Sequence, residues 1–208
     1  MTRRLVQLLL GLSLYGAGCA LTVRAGIGVD PWTVLAEGLS TRTGIGVGWM
    51  TNLIGVAVML LWVPLRQRPG AGTIANILLV GTAMQAVVDL VPPVQDPLAQ
   101  PAMCVAGIVL VAVASGLYIG ANFGPGPRDG LMTGICARWG WPIYLARGTV
   151  EISVLALGWI LGGTVGVGTV LFALLIGPLV HVALPLFDTR TPRRRISAVG
   201  TAASPNRA

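Results

Sequence analysis

The sequence predicts an all-α membrane protein of six transmembrane helices, arranged as two inverted three-helix repeats that each carry a short interfacial or re-entrant helix. Three observations predict it. First, 54% of the 208 residues are hydrophobic and only 10% are charged, whereas a soluble domain carries about 25% charged residues to cover its surface. Second, the chain matches itself without gaps when shifted by 96 residues, Ala25–Gly81 falling opposite Ala121–Gly177. The identities include Gly28/Gly124, Pro31/Pro127, Gly38/Gly134, Arg42/Arg138, Gly70/Gly166, Thr73/Thr169 and Gly81/Gly177. Repeats of this kind define architecture before any local pattern does. Third, each half holds three long apolar runs.

The runs lie near 5–23, 46–64 and 72–91, then near 102–120, 142–162 and 167–187. Each has about 18–21 residues, enough to cross a hydrocarbon core of about 30 Å at 1.5 Å per residue. Arg3 and Arg4 before the first run resemble the start of a signal peptide. The run is nevertheless expected to be retained, because it is the first member of a repeated unit. In it, Gly16 and Ala20 correspond to Ala112 and Gly116, small residues four apart that allow close helix contact. Between the first and second runs of each half lies a stretch of about 12 residues, 31–42 and 127–138, too short to cross. Each opens on Pro, a favoured first helical residue. Trp32, Leu35 and Leu39, and Leu131, Ile135 and Trp139, recur at helical spacing.

Three crossings per half is an odd number, so the second half is expected to insert upside down. The charges agree. With the N-terminus inside, Arg3, Arg4, Arg66, Arg68, Arg128, Arg138, Arg190 and Arg193–Arg195 are all cytoplasmic, while Arg24 and Arg42 are outside. This is the positive-inside pattern. It gives a single transmembrane domain over 1–190 (repeat 1 about 5–91, repeat 2 about 102–187) and a basic, disordered cytoplasmic tail over 191–208. The location is a bacterial plasma (inner) membrane with both termini cytoplasmic.

The net charge of +7 is therefore a matter of topology. All fourteen basic residues are arginine, at the chain ends and between apolar runs, with no interleaved aromatics. Nucleic acid is not an expected partner; the lipid bilayer is, and the basic tail can touch anionic headgroups. Cys19, Cys104 and Cys136 form no CxxC pair and read as free thiols. With one histidine in the chain, a His-rich metal site is excluded, and neither metal nor cofactor is expected. There is no P-loop, no HExxH and no serine flanked by a base, so no enzyme is expected.

The candidate site residues are Arg128, Asp129, Arg147, Glu151 and His181. Arg147 and Glu151 are four apart on one face of the fifth crossing and can pair. Ionisable residues at this depth face the bundle interior, either as a structural ion pair or as a solute or proton site. In GPGPRDG, Gly124–Gly130, a sharp turn leads into a helix N-terminus that can bind an anion or carboxylate; alternatively Asp129 caps that helix. Its counterpart GVDP, with Asp30 before Pro31, is the weaker candidate. His181 is either a proton relay or a packing histidine. Asn52 and Asn76 read as interhelical hydrogen-bond glue. Trp62, Trp139, Trp141 and Trp159 read as interfacial anchors, and Asp89 as a solvated residue near the outer end of its helix.

The segments GPGPRDGLMTGICARWG, RGTVE and GWILGGTVGVGTVLFALLIGP, with DPW and GTI in the first half, resemble the bacterial YczE/YyaS/YitT membrane proteins. The resemblance covers about residues 5–187. It implies a polytopic plasma-membrane protein and places Arg128, Asp129, Arg147 and Glu151 within its motifs. It supplies no substrate.

The expected function is transport of a small solute, with the two units rocking about a site at the repeat interface. An arginine there favours a solute with an anionic group, and a titrating Glu151 would couple transport to protons. The alternative is a non-transporting binding subunit or scaffold acting with a membrane partner or as a homo-oligomer, through the small-residue faces at Gly16/Ala20 and Ala112/Gly116.

Overall fold

The computed structural model describes residues 1–189, so the basic tail expected over 191–208 lies outside the described residues. The described residues form eight helices and no strand: α1 (Thr2–Ala25), α2 (Pro31–Thr43), α3 (Val47–Leu61), α4 (Ala71–Leu90), α5 (Ala99–Gly120), α6 (Pro127–Trp139), α7 (Ile143–Ile160) and α8 (Val167–Phe187). Five of them, α1, α4, α5, α7 and α8, are long and apolar enough to cross a membrane. A sixth span exists only if α2 and α3, which meet at a bend of 112°, are taken together. The third element is thus shorter than its apolar run. α3 has 15 residues, about 22 Å of helix. The helix stops short of Pro64, which disfavours helical backbone at the residue before it, and Trp62 turns inward to donate Nε1–H to the Pro127 carbonyl at 3.1 Å.

α1 and α5 form the antiparallel centre of the bundle. They approach closely because small residues face each other: a Cβ at Gly18 would lie 2.9 Å from the Gly107 oxygen, and one at Gly107 would lie 2.8 Å from the Gly18 oxygen. Without water to drive association, such contact is what holds apolar helices together in lipid. Gly16 packs in the same way on the α4 backbone at Met84, and Gly116 on Ala183 of α8. Ala20 and Ala112 are fully buried. The small-residue faces assigned above to a partner are therefore consumed inside the chain.

Two short connections fold back into the bundle. At Gly28 and Gly124 the backbone takes φ of 114° and 115°, a region that glycine alone enters readily. The Ile27 carbonyl accepts from Gly168 N at 2.8 Å, and the Phe123 carbonyl accepts from Gly72 N at 3.0 Å. Each connection thereby docks on the first turn of a long helix in the other half. These contacts return α2 and α6 into the bundle, N-termini first.

The lipid-exposed surface is apolar, as the composition requires: Leu60, Leu90, Trp159, Ile160 and Leu174 are each more than 60% exposed. Trp139, Trp141 and Trp159 are exposed near helix ends. Trp62 differs from that expectation, being only 1% exposed, because its ring packs on Gly130 of α6 and its indole N–H bonds to the Pro127 carbonyl.

Candidate functional site

The N-termini of α2 and α6 meet in the middle of the bundle. Asp30 is the N-cap of α2: Oδ1 accepts from Trp32 N at 3.2 Å and Thr33 N at 3.3 Å, and Oδ2 accepts from the Thr33 hydroxyl. The Asp-Pro order favours this, because Pro31 takes the first helical position, where no N–H is needed. Arg128, in the first turn of α6, brings Nη1 to 3.2 Å from Asp30 Oδ1. Its guanidinium also stacks on Trp32, 5.2 Å from the ring centroid. Trp32 Nε1 donates to Glu151 Oε1 of α7 at 3.2 Å. One connected set, Asp30–Arg128–Trp32–Glu151, thus ties α2, α6 and α7 together.

A second set lies beside it. Tyr118 of α5 donates its hydroxyl to Asp129 Oδ2 at 3.3 Å, and its ring meets Tyr15 of α1 edge-on at a centroid distance of 6.0 Å. Asp129 therefore does not cap α6: the N-cap position is held by Gly126, which has no side chain to do so, and Asp129 reaches sideways to α5.

Both sets border one cavity of about 410 Å³. Arg128, Asp129, Arg147, Glu151 and His181 all line it, together with Tyr15, Asp30, Trp32, Asn76, Ser115 and Tyr118. The structure changes several individual readings. No ion pair joins Arg147 to Glu151 among the described residues; Glu151 bonds to Trp32 instead, since the indole reaches it from α2. Arg128 is turned inward, half-buried beside the cavity, and is not a loop charge. Asn76 borders the cavity, whereas Asn52 does bridge helices, donating to Thr82 Oγ1 at 3.1 Å. Asp89 is exposed, as expected, and accepts from Gln85 Nε2 at 2.8 Å.

Asp30, Trp32, Tyr15 and Tyr118 are the residues that sequence reasoning ranked too low or passed over. Asp30 alone carried a signal, as an acidic residue before Pro in a repeated turn. Among the described residues no group of three or more His, Cys, Asp or Glu side chains is placed to hold a metal ion.

The fold and cavity define a polytopic helical membrane protein with a polar centre. The chain belongs to a family of unknown function, DUF6198, whose model matches residues 2–185. It is 43% identical to an uncharacterized protein of Haemophilus influenzae over 177 residues, covering 85% of this chain and 81% of that one. It is 29% identical to the uncharacterized membrane protein YczE of Bacillus subtilis (84% and 82% covered) and 27% identical to the uncharacterized protein YyaS of the same organism (86% and 91% covered). These relatives agree with the resemblance carried by the GPGPRDG region. No solved structure matches the chain.

Proposed function

We propose that the chain is a small-solute transporter of the bacterial plasma membrane, built from two inverted three-helix repeats that rock about the central cavity. The observation that carries this reading is the cavity itself. Buried charged groups in a membrane protein are costly and mark solute or ion paths, and here they converge where two broken connections meet. Irregular backbone and half-helix ends at a repeat interface are a recurrent transporter design.

The inverted repeat is supported by exchanged contacts. Under the 96-residue offset, the bond Gly168 N to Ile27 O becomes Gly72 N to Phe123 O, and both are made. The bond Gly166 N to Thr169 Oγ1 likewise has its counterpart in Gly70 N to Thr73 Oγ1. Reciprocal contacts of this kind fit a two-fold relation between halves. In this reading α2 and α6 are re-entrant.

The cytoplasmic placement of both termini rests on the arginines. Arg4 donates to the Ala121 and Asn122 carbonyls, and Gly134 of α6 packs on Leu65 and Gln67. One end of the bundle therefore gathers Arg3, Arg4, Arg66, Arg68 and Arg138, as the positive-inside rule requires of a cytoplasmic face.

Arg128 is already neutralised by Asp30, so Arg147 is the cation left to meet an anionic group on the solute. Glu151 and Asp129 face the same space and suit a cationic group or a coupled proton. Thermal unfolding of the detergent-purified protein across acidic, basic and neutral metabolites tests the site. A ligand raises stability by mass action, about 2.7 kcal/mol at a hundred times its Kd. The expected result is a solute class that stabilises the native chain and fails to stabilise Glu151→Gln. Stabilisation unchanged in both Glu151→Gln and Arg147→Ala would remove this cavity as the site.

A further inference from the structure

The two halves differ at one seam. In the first half α3 and α4 are in direct contact: a Cβ at Gly48 would lie 2.5 Å from Gln85 N, and it would also meet the Gly81 oxygen. Gly48 N donates to Gln85 Oε1 at 3.0 Å, and Asn52 bridges to Thr82. The 96-residue offset places Tyr144, Gly148, Gly177 and His181 at the positions of Gly48, Asn52, Gly81 and Gln85. These belong to α7 and α8, and there the contact is missing. A Cβ at Gly148 or at Gly177 would meet nothing within 4 Å. Arg147 and Glu151 on α7 and Gly177 and His181 on α8 instead face the common cavity.

The open and closed seams lie at opposite ends of the bundle. Gln7, near the start of α1, donates to the Phe187 carbonyl at the end of α8 at 2.8 Å. Arg24, near the end of α1, donates to the Val88 carbonyl of α4 at 3.0 Å. The α3–α4 seam thus lies toward the end where α1 finishes, and the gap between α7 and α8 toward the end where α1 begins.

We infer that α7 and α8 are the gate of this cavity, and that they close through Gly148 and Gly177, which stand where Asn52 and Gly81 bring α3 and α4 together. This rests on the transporter and repeat reading above. Two further observations support it. A helix-interior glycine costs about 1 kcal/mol relative to alanine. Gly148 has no neighbour in the open arrangement that would require a glycine, whereas a closed seam needs a small residue there. Pro178 follows Gly177 inside α8, and its missing N–H removes a helical hydrogen bond at the point where the helix must bend. In the closed arrangement His181 takes the place of Gln85, beside the first turn of α7.

Spin labels at Tyr144→Cys and Leu186→Cys, in a Cys136→Ser background, report the separation of the two helices by pulsed electron resonance in lipid vesicles. Both label sites are exposed, at 76% and 75%. The expected result is two distances, with the shorter one lost in Gly148→Leu/Gly177→Leu. That variant is expected to stay folded, with an unchanged elution profile in detergent, since a Cβ at either position meets no other part of the bundle within 4 Å. A single distance shared by both proteins would overturn the gate. So would a short component that survives in the leucine variant. The measurement needs no solute, so failure to find a transported solute would leave it standing, and its own failure would leave the cavity a binding site.

Discussion

Asp30 caps α2 and neutralises Arg128 with the same carboxylate. Its side chain is 2% exposed, so neither role can pass to water. Asp30→Ala removes the cap, which costs about 1 kcal/mol, and leaves Arg128 without its counter-charge; the Arg128 side chain is 25% exposed, so the total stays below the about 3–5 kcal/mol of a fully buried pair. Asp30→Asn keeps an acceptor for Trp32 N and Thr33 N and loses only the charge. The expected order of melting temperature is wild type, then Asp30→Asn, then Asp30→Ala, read by thermal unfolding in one detergent; equal melting of wild type and Asp30→Ala would show that the pair stabilises nothing. This residue also marks the limit of sequence reading. An Asp before Pro announces a helix start, and that part was legible. Its partner lies 98 residues away, and no local spacing encodes which of several arginines comes to it. Trp62 illustrates the same limit. A tryptophan at the end of an apolar run reads as an interfacial anchor, but its contact is the Pro127 carbonyl, 65 residues on.

The helices themselves were legible to within a few residues, because apolar length, Pro at the first position and Gly after the last are local signals. α2 and α6 start at Pro31 and Pro127 and end before Gly44 and Gly140, as those signals dictate. The expected third span is longer than α3 because the apolar run continues through residues 62–64, where Pro64 and the inward turn of Trp62 end the helix. The glycines divide by seam. Gly81→Ala forces a Cβ onto Asn52 and the Gly48 backbone, an overpacking that costs about 1–3 kcal/mol. Gly148→Ala meets nothing within 4 Å and gains helix propensity of up to about 1 kcal/mol. The first is expected to lower the melting temperature and the second to hold or raise it. Equal destabilisation by both would mean that α7 and α8 pack together in the resting protein.

At the scale of the whole molecule, charge-poor composition and the repeat were sufficient to read a helical membrane bundle, and the five long apolar helices agree. The five residues singled out from sequence all line one cavity, because ionisable groups in lipid have few other places to go. The pairings inside it were not legible, since the broken connections bring together residues from both halves. Trp32 and Arg128 occupy equivalent positions under the 96-residue offset, and they stack on each other where the halves meet. That contact places the cavity between the two sequence repeats.

The most direct measurement is uptake into proteoliposomes that contain only this purified chain, using the solute class found by thermal stabilisation. Three proteins are compared: wild type, Glu151→Gln and Leu157→Ala, the last on an exposed position of α7. The transporter account predicts saturable uptake by wild type and by Leu157→Ala, with at least a tenfold loss in Glu151→Gln, the factor that about 1.4 kcal/mol at the site would produce. A solute that stabilises the protein but never crosses the membrane would contradict it, and would make the chain a binding subunit that depends on a partner.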